Sequence, residues 1–376
     1  VPSTYSDIAG YPDLGFVLLQ RLGWLLLGLG LIGYSITFWR RIPNCPGNRA
    51  VQLKYSTLFV IGGIFCGCML YFSISLTKTR RAEYVASYDR YSLKDKMVMD
   101  RQSITYRQKG DKIEVNTLLK LINPHDKEVN SVVLYLNPGL EVKRLLKGDR
   151  ELTYSRDNQV IEIKEKVSAG DSLWLALEYE GRIDERICYL NQSEKDIWDG
   201  KTIGSSFFRN GKRYAIVERN YTLLTPECLW YPVSVPSVNS KNRYDVQKNF
   251  TSYRLKVVDT GDKTVLSQGK SSRIGDITEF RPEYPLPGIS LCIASYKKYS
   301  VTADSISFEL YLVEGHDDFM QYLSHVKDSV ETILSGMKEV LEGMKGRDYP
   351  YRRFMLIETP ASFASYYRFE RGGSER

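Results

Sequence analysis

Two uninterrupted apolar runs govern what this chain can become: Leu22 to Trp39, 18 residues, and Ser56 to Thr77, 22 residues, contain no Asp, Glu, Lys or Arg. A hydrocarbon core of about 30 Å takes roughly 20 helical residues, and inside it every backbone amide must be satisfied within the helix. Both runs reach that length, so the sequence predicts two membrane helices, at about 16–39 and 56–77. The first run is too long for the apolar core of a signal peptide, and no basic segment precedes it. Trp24, Tyr34, Trp39, Tyr55 and Tyr71 lie in or beside the spans, where those near the ends suit a water interface. Gly63 and Gly67 form a GxxxG pair that lets another helix approach closely.

Charge then sets an orientation. The 52 basic and 45 acidic side chains leave a net charge of only +7, which argues against a dedicated nucleic-acid binder. Residues 1–80 hold seven Lys/Arg against two Asp/Glu, while residues 81–376 hold 45 against 43. The loop from Arg40 to Tyr55 carries Arg40, Arg41, Arg49 and Lys54 and no acid, whereas the first fifteen residues carry Asp7 and Asp13 and no base. By the positive-inside rule the loop is cytoplasmic, and residues 81–376 lie outside the cytoplasm; Lys78, Arg80 and Arg81 pull the other way.

The remaining length suits an extramembrane part of mainly β structure. After a polar linker at 81–100, side chains alternate in Leu173, Leu175, Leu177 and Tyr179, in Tyr253, Leu255 and Val257, and in Ile306, Phe308, Leu310 and Leu312. Each alternation predicts a half-buried strand. Turn clusters stand between the runs: Lys147-Gly148-Asp149, Arg156-Asp157-Asn158, Ala169-Gly170-Asp171 and Thr260-Gly261-Asp262. Strands this closely spaced, with no helices between them, predict an antiparallel β-sandwich over 101–312. From Asp317 to Lys345 the period changes to three and four, an amphipathic helix ended by Gly343 and Gly346, and a strand from Phe354 to Ile357 follows. Residues 313–376 therefore read as the incomplete start of an α/β domain, and the chain, from Val1 to Arg376, reads as a piece of a longer polypeptide.

Little in these residues carries chemistry unaided. There are three histidines and no H-E-x-x-H, Walker A, G-x-G-x-x-G or G-x-S-x-G sequence. His316 and His325, nine apart, fall on opposite faces of one helix and are expected as solvated or capping residues; His125 reads as a turn residue. Cys188, Cys228 and Cys292 are an odd set without CxxC spacing, and buried free thiols are the expectation. Trp230-Tyr231-Pro232, after Thr225-Pro226-Glu227-Cys228-Leu229, forms a rigid aromatic patch that serves packing or binding. Tyr349-Pro350-Tyr351-Arg352-Arg353 and Tyr366-Tyr367-Arg368 combine aromatics with cations, for a carboxylate or for interdomain packing.

The order of features resembles the start of a gluzincin, aminopeptidase N-like zinc aminopeptidase, in the version fused to a bacterial ABC-type transporter permease. The residues that carry it are Leu177-Glu178-Tyr179-Glu180-Gly181, Leu229-Trp230-Tyr231-Pro232, the hairpin from Tyr253 to Leu266-Ser267-Gln268-Gly269, Pro285-Leu286-Pro287-Gly288-Ile289-Ser290-Leu291 leading to Tyr296, and Asp348-Tyr349-Pro350-Tyr351 leading through Ile357-Glu358-Thr359-Pro360 to Phe363. The resemblance implies an N-terminal sandwich preceding a thermolysin-like catalytic domain, in which an H-E-x-x-H helix and a later Glu bind zinc for peptide hydrolysis. Neither that helix nor a G-x-M-x-N amine-binding segment occurs here, so no catalytic residue, metal ligand or cofactor is assigned to this chain, and zinc is expected only for the complete parent. Substrate contacts are sought at Glu218, Glu227, Trp230 and Tyr231. The implied partners are the lipid bilayer of a bacterial cytoplasmic membrane, a peptide substrate, other permease helices and an ATP-hydrolysing subunit. The competing expectation is a non-enzymatic, extracytoplasmic peptide- or partner-binding domain of an exporter permease.

Overall fold

The computed structural model describes residues 6–11, 14–39, 49–188, 190, 213–236, 239, 248–320, 327–360 and 363. Among the expectations above, Arg40, Arg41, His325 and Tyr366-Tyr367-Arg368 lie outside the described residues.

The two apolar runs form helices α1 (Leu14–Phe38) and α2 (Arg49–Tyr91), each long and apolar enough to cross a membrane. They pack on each other through small residues. A Cβ on Gly30 would stand 2.6 Å from Val60 Cγ2 and 2.9 Å from the Ser56 carbonyl, and one on Gly63 would stand 2.5 Å from Leu27 Cγ. Gly67 has open space around its Cα, so of the GxxxG pair only Gly63 serves this contact. Tyr34 and Thr57 hydroxyls meet across the pair at 2.8 Å. The opposite faces leave Trp24, Phe65, Tyr71 and many leucines exposed.

Helix α2 does not stop where its apolar run stops. It continues through residues expected to be a linker and ends at Tyr91, with the first strand starting at Val98. At about 1.5 Å per residue the stretch beyond Thr77 extends roughly 20 Å past the apolar run. Residues 78–91 contain no Gly or Pro, and Arg80 pairs with Glu83 one turn on, at 3.0 Å. Arg81, Tyr84, Ser87 and Tyr88 recur at helical spacing and are buried, so this segment docks on the β structure instead of joining it loosely.

Strand formation follows the alternating pattern. An eight-stranded sheet runs in the spatial order Lys270–Ile274, Ile277–Arg281, Ser252–Val258, Val98–Lys109, Lys112–Ile122, Ser172–Gly181, Leu140–Lys147 and Arg150–Glu151. Its pairing is antiparallel except between Val98–Lys109 and Ser252–Val258, which run parallel, so the purely antiparallel expectation is corrected there. A four-stranded sheet orders Thr264–Ser267, Leu291–Ala294, Thr222–Leu224 and Ile216–Val217, and a three-stranded one orders Val132–Tyr135, Val160–Ile163 and Tyr154–Asp157. The turn clusters behave as their chemistry requires, with φ of 61° at Gly148, 53° at Asn158, 70° at Gly170 and 59° at Gly261. One large core, including Ile104, Tyr106, Leu119, Tyr135, Leu175 and Trp230, lies between the layers.

A separate three-stranded sheet runs across residue 313. Ile306–Val313 pairs antiparallel with Tyr296–Ala303 and parallel with Arg353–Ile357, across the helix α3 (Lys327–Lys345). This is a strand, helix, parallel-strand crossover, the unit of an α/β layer. Asp317 to Phe319 precede any helix, and residues 321–326 lie outside the described ones. The side chains of Ile306–Val313 also depart from simple alternation: Ile306, Glu309, Tyr311 and Leu312 are buried, while Phe308 and Leu310, in step with Ile306 and Leu312, are only half-buried. Glu309 is drawn inward by Arg353, which a hydrophobic pattern cannot register.

Candidate functional site

The aromatic turn is built from its backbone outward. Pro226–Cys228 forms one 3-10 turn, entered from Thr225 in extended geometry and left through Leu229 at φ 51°. That reversal points Trp230 and Tyr231 into the core, where they are 0% and 1% exposed. Trp230 stands edge-on to Tyr106 at 5.9 Å and to Tyr231 at 4.7 Å, and Tyr231 stands edge-on to Tyr253 at 5.6 Å. The Tyr179 hydroxyl donates to the Trp230 carbonyl at 3.2 Å, Gln102 Nε2 to the Pro232 carbonyl at 3.1 Å, and the Ile289 N–H to the Tyr231 hydroxyl oxygen at 2.9 Å. Four of the resembling segments, at Tyr179, Trp230, Tyr253 and Ile289, therefore meet in one packed cluster. Trp230 and Tyr231 offer no surface to a peptide in this arrangement.

Glu227 and Glu218 are placed apart. Glu227 is 3% exposed and faces a cavity of about 20 Å³ that is also lined by Tyr88, Tyr135, Gln159, Ile187 and Leu229. That volume holds about one water molecule, not a peptide residue. Glu218 pairs with Arg213, which also donates to Glu185 at 3.0 Å. The second oxygen of Glu185 accepts the Tyr214 N–H at 2.8 Å. Burial lowers the Arg213 pKa, but the carboxylates of Glu185 and Glu218 outweigh it and hold the guanidinium above its ordinary value. Glu218 is thus the partly exposed member of a Glu-Arg-Glu cluster that sequence reasoning missed, because Arg213 and Glu185 are distant in the chain.

The most elaborated polar constellation is the dock of α2, which spacing alone did not single out. Tyr84 donates to Asp184 Oδ2 at 2.6 Å, Arg81 Nη1 donates to the carbonyls of Arg186 and Cys188 at 3.0 and 3.1 Å, and Ser87 donates to Asp157 Oδ1 at 2.9 Å. Gln159 Nε2 reaches the Tyr84 carbonyl at 2.7 Å. Burial works against the Asp184 charge, yet the donors Arg186 and Tyr84 hold its carboxyl below the ordinary value. Burial also raises the Tyr84 phenol well above its usual range, so it remains a donor. The helix is locked to the β structure by groups that keep these protonation states across the neutral range. The signal for it was the recurrence of Arg81, Tyr84, Tyr88 and Tyr91.

The histidines have partners. His316, expected as a solvated or capping residue, is partly exposed with its Nδ1 2.7 Å from Glu358 Oε1, and His125 Nε2 lies 3.2 Å from the Lys96 carbonyl. Among the described residues no group of three His, Cys, Asp or Glu side chains converges to hold a metal, so the described part does not supply a zinc site.

No protein-family model and no curated protein matches this sequence. Solved structures similar to it include a point mutant of the M1 zinc metallopeptidase from Deinococcus radiodurans, at 11% identity and a TM-score of 0.48, and the M1 zinc metallopeptidase from the same organism without that substitution, at 10% and 0.46. A two-domain M1 zinc metallopeptidase bound to L-tryptophan is similar at 12% identity and a TM-score of 0.46. In each case the similarity covers 70% of this chain and 56% of the other, so the chain spans little more than half the length of those structures.

Proposed function

We propose that this chain is the membrane-anchored, non-catalytic platform of a larger zinc aminopeptidase fused to an ABC-type permease of the bacterial cytoplasmic membrane. The observation that carries the reading is α3. Its Ile333, Met337, Val340, Leu341 and Met344 are 53–80% exposed along one face, while the strand after it joins the sheet in parallel. An apolar helix face of this size needs a covering layer. In the reading proposed, further catalytic-domain polypeptide supplies that layer together with the zinc ligands, and the described residues act by placing that domain at a fixed distance from the bilayer.

The orientation draws support from the dock. Of the cations after the second apolar run, Arg81 is buried against the Arg186 and Cys188 carbonyls and is not available to lipid headgroups. That weakens the positive charge opposing a cytoplasmic α1–α2 loop, and favours an extracytoplasmic β structure. Lipid contacts fall on the exposed apolar faces of α1 and α2, and other permease helices and an ATP-hydrolysing subunit complete the assembly.

The test is the coding sequence beyond Arg376 followed by assay of the full-length protein. An H-E-x-x-H within roughly a hundred codons, inside one domain length, is expected. Bound zinc with hydrolysis of aminoacyl-anilides is the expected result; absence of the motif, or a metal-free inert protein that binds peptides, moves the reading to a binding module. Orientation is tested separately with S271C on the exposed strand Lys270–Ile274, which a membrane-impermeant maleimide should label from outside intact cells.

A further inference from the structure

Two buried polar atoms beneath the α2 dock open onto one cavity. Among the described residues, neither the Tyr135 hydroxyl nor Gln159 Oε1 has a hydrogen-bond partner, although Tyr135 is 0% and Gln159 1% exposed. Both side chains line the cavity of about 20 Å³ that Glu227 faces, beside the apolar side chains of Ile187, Leu190 and Leu229. The Gln159 amide cannot be turned round: its Nε2 donates to the Tyr84 carbonyl at 2.7 Å, and a carbonyl accepts only from an N–H, so the oxygen is the atom left for the cavity. Backbone bonds hold these groups in place. Tyr135 exchanges both of its backbone bonds with Val233, at 2.8 and 3.0 Å, the Leu136 N–H donates to the Gln159 carbonyl at 2.8 Å, and the Asn137 N–H donates to the Leu229 carbonyl at 2.9 Å. The strand Val132–Tyr135 and the two residues after it thereby fix Gln159 and the turn that carries Glu227. Burial raises the Tyr135 phenol above its ordinary value, with Tyr88 adding to the effect, so the hydroxyl keeps its proton as a donor.

We propose that this cavity is the binding site of one structural water molecule, which accepts the Tyr135 O–H and donates to Gln159 Oε1 and to a carboxyl oxygen of Glu227. A buried polar atom without a partner bears its whole desolvation cost, which a bridging water removes. Such a water needs at least about 10–15 Å³ and two to four polar partners, and this cavity meets both conditions. The partners also match in kind. One donor and two acceptors are the complement of a single water, whose oxygen takes the phenolic hydrogen and whose two hydrogens go to the two acceptors. The water closes a polar chain that runs from α2 through the Tyr84 carbonyl and the Gln159 amide to the aromatic turn. It is thus part of what ties the stalk helix to the β structure. The inference does not depend on the peptidase reading, since it concerns residues within this chain alone.

The experiment is a crystal structure of the full chain in detergent, at a resolution that shows ordered waters, with a second crystal grown in rubidium in place of sodium and potassium. A single peak within about 2.5–3.2 Å of both Tyr135 Oη and Gln159 Oε1, without anomalous signal from rubidium, is expected. An empty cavity, a direct bond from the Tyr135 hydroxyl to Gln159 or Glu227, or a rubidium signal at the site overturns the proposal. Stability reads the same contact through its sign. With the hydroxyl bridged, Tyr135→Phe should lower the melting temperature by about 2–4 °C, and hydrogen exchange at residues 84–91 and at Glu227–Leu229 should speed up together. Removing a hydroxyl that bonds to nothing would leave the melting temperature unchanged or raise it, and that result also overturns the proposal. Should the variant not fold, the density in the unsubstituted chain decides the matter by itself.

Discussion

The Tyr84 hydroxyl, on the same uninterrupted helix as the second apolar run, donates to the Asp184 carboxylate of the β structure at 2.6 Å. Removing that hydroxyl while keeping the ring isolates one link of the dock. A hydrogen bond to a charged acceptor contributes about 1.5–3 kcal/mol, so Tyr84→Phe should destabilise the dock by roughly that amount. Hydrogen exchange of the amides at 80–91 should speed up, with those of Lys112–Ile122 unchanged. A double-mutant cycle with Asp184→Asn should show coupling; additive effects of the two substitutions would mean that the contact does not hold the helix.

Gly288 sits where two chain segments touch. A Cβ there would stand 2.8 Å from Pro226 Cγ, 3.0 Å from Pro226 Cβ and 3.1 Å from the Tyr231 hydroxyl. Neither the proline ring nor a tyrosine that already accepts the Ile289 N–H has room to retreat. Gly288→Ala should therefore cost about 1–3 kcal/mol by overpacking. Urea denaturation measures it, and near-ultraviolet circular dichroism of the Trp230 and Tyr231 cluster should change with it. A variant as stable as the parent would show that the Pro-Leu-Pro-Gly segment is not pressed onto the aromatic turn.

Which parts of this arrangement were legible follows from the physics of each signal. The apolar runs announce α1 and α2 because bilayer length is a property of sequence alone, and period-two alternation announces strands such as Ser172–Gly181, whose Leu173, Leu175, Leu177 and Tyr179 are all buried. The extension of α2 to Tyr91 was hidden because its buried face is Arg81, Tyr84, Ser87 and Tyr88, polar residues of which the first three bond to partners 70 or more positions away. Arg213, Glu185 and Glu218 were unreadable because the cluster joins positions 28 and 5 apart with no regular period to mark it. The Trp230-Tyr231 pair was visible as rigid, but sequence does not say on which side of the chain a left-handed residue such as Leu229 will send it.

Glu309 is the buried charge on which the sheet of Ile306–Val313 turns. It is 7% exposed and accepts from Arg353 Nε at 2.6 Å, Lys298 Nζ at 2.6 Å and the Tyr311 hydroxyl at 2.8 Å. Burial raises its pKa, but Lys298, Tyr311 and Arg353 together bring it below the ordinary carboxyl value. A depressed folded pKa contributes stability that is present above the unfolded value and disappears as pH falls through the folded one. Glu309→Ala strips Arg353 of its carboxylate partner and leaves it only the Gly269 carbonyl and the Tyr311 hydroxyl, and breaking such a pair from one side costs about 3–5 kcal/mol. Hydrogen exchange across Tyr296–Val313 and Arg353–Ile357 should lose protection, whereas Val132–Tyr135 should keep it. Replacing both partners, Glu309→Leu with Arg353→Met, should recover part of the loss; no recovery would mean that the charge pair itself, not its orphaned half, sets the stability of this sheet.

His316 gives the same region a response at neutral pH. Its Nδ1 faces Glu358 Oε1 at 2.7 Å, and Glu358 Oε2 accepts the Val313 N–H at 2.7 Å, so the pair ties the end of one strand to the residue following its parallel neighbour. The Glu358 hydrogen bond is the main cause that raises the His316 pKa above 6.5, with Asp7 and Asp318 adding to it against a small opposing effect of burial. A raised folded pKa means that the stabilisation is complete below the unfolded value and is lost as pH climbs through the folded one. Alkaline drift, not acid, should loosen this junction. The melting temperature of the unsubstituted chain should therefore approach that of His316→Gln as pH rises above 6.5 and exceed it most clearly at lower pH. Parallel curves for the two proteins would show that imidazole charging contributes nothing here. Direct titration of the His316 ring by NMR should place its midpoint above that of His316 in the unfolded chain, and Glu358→Gln should bring it back down.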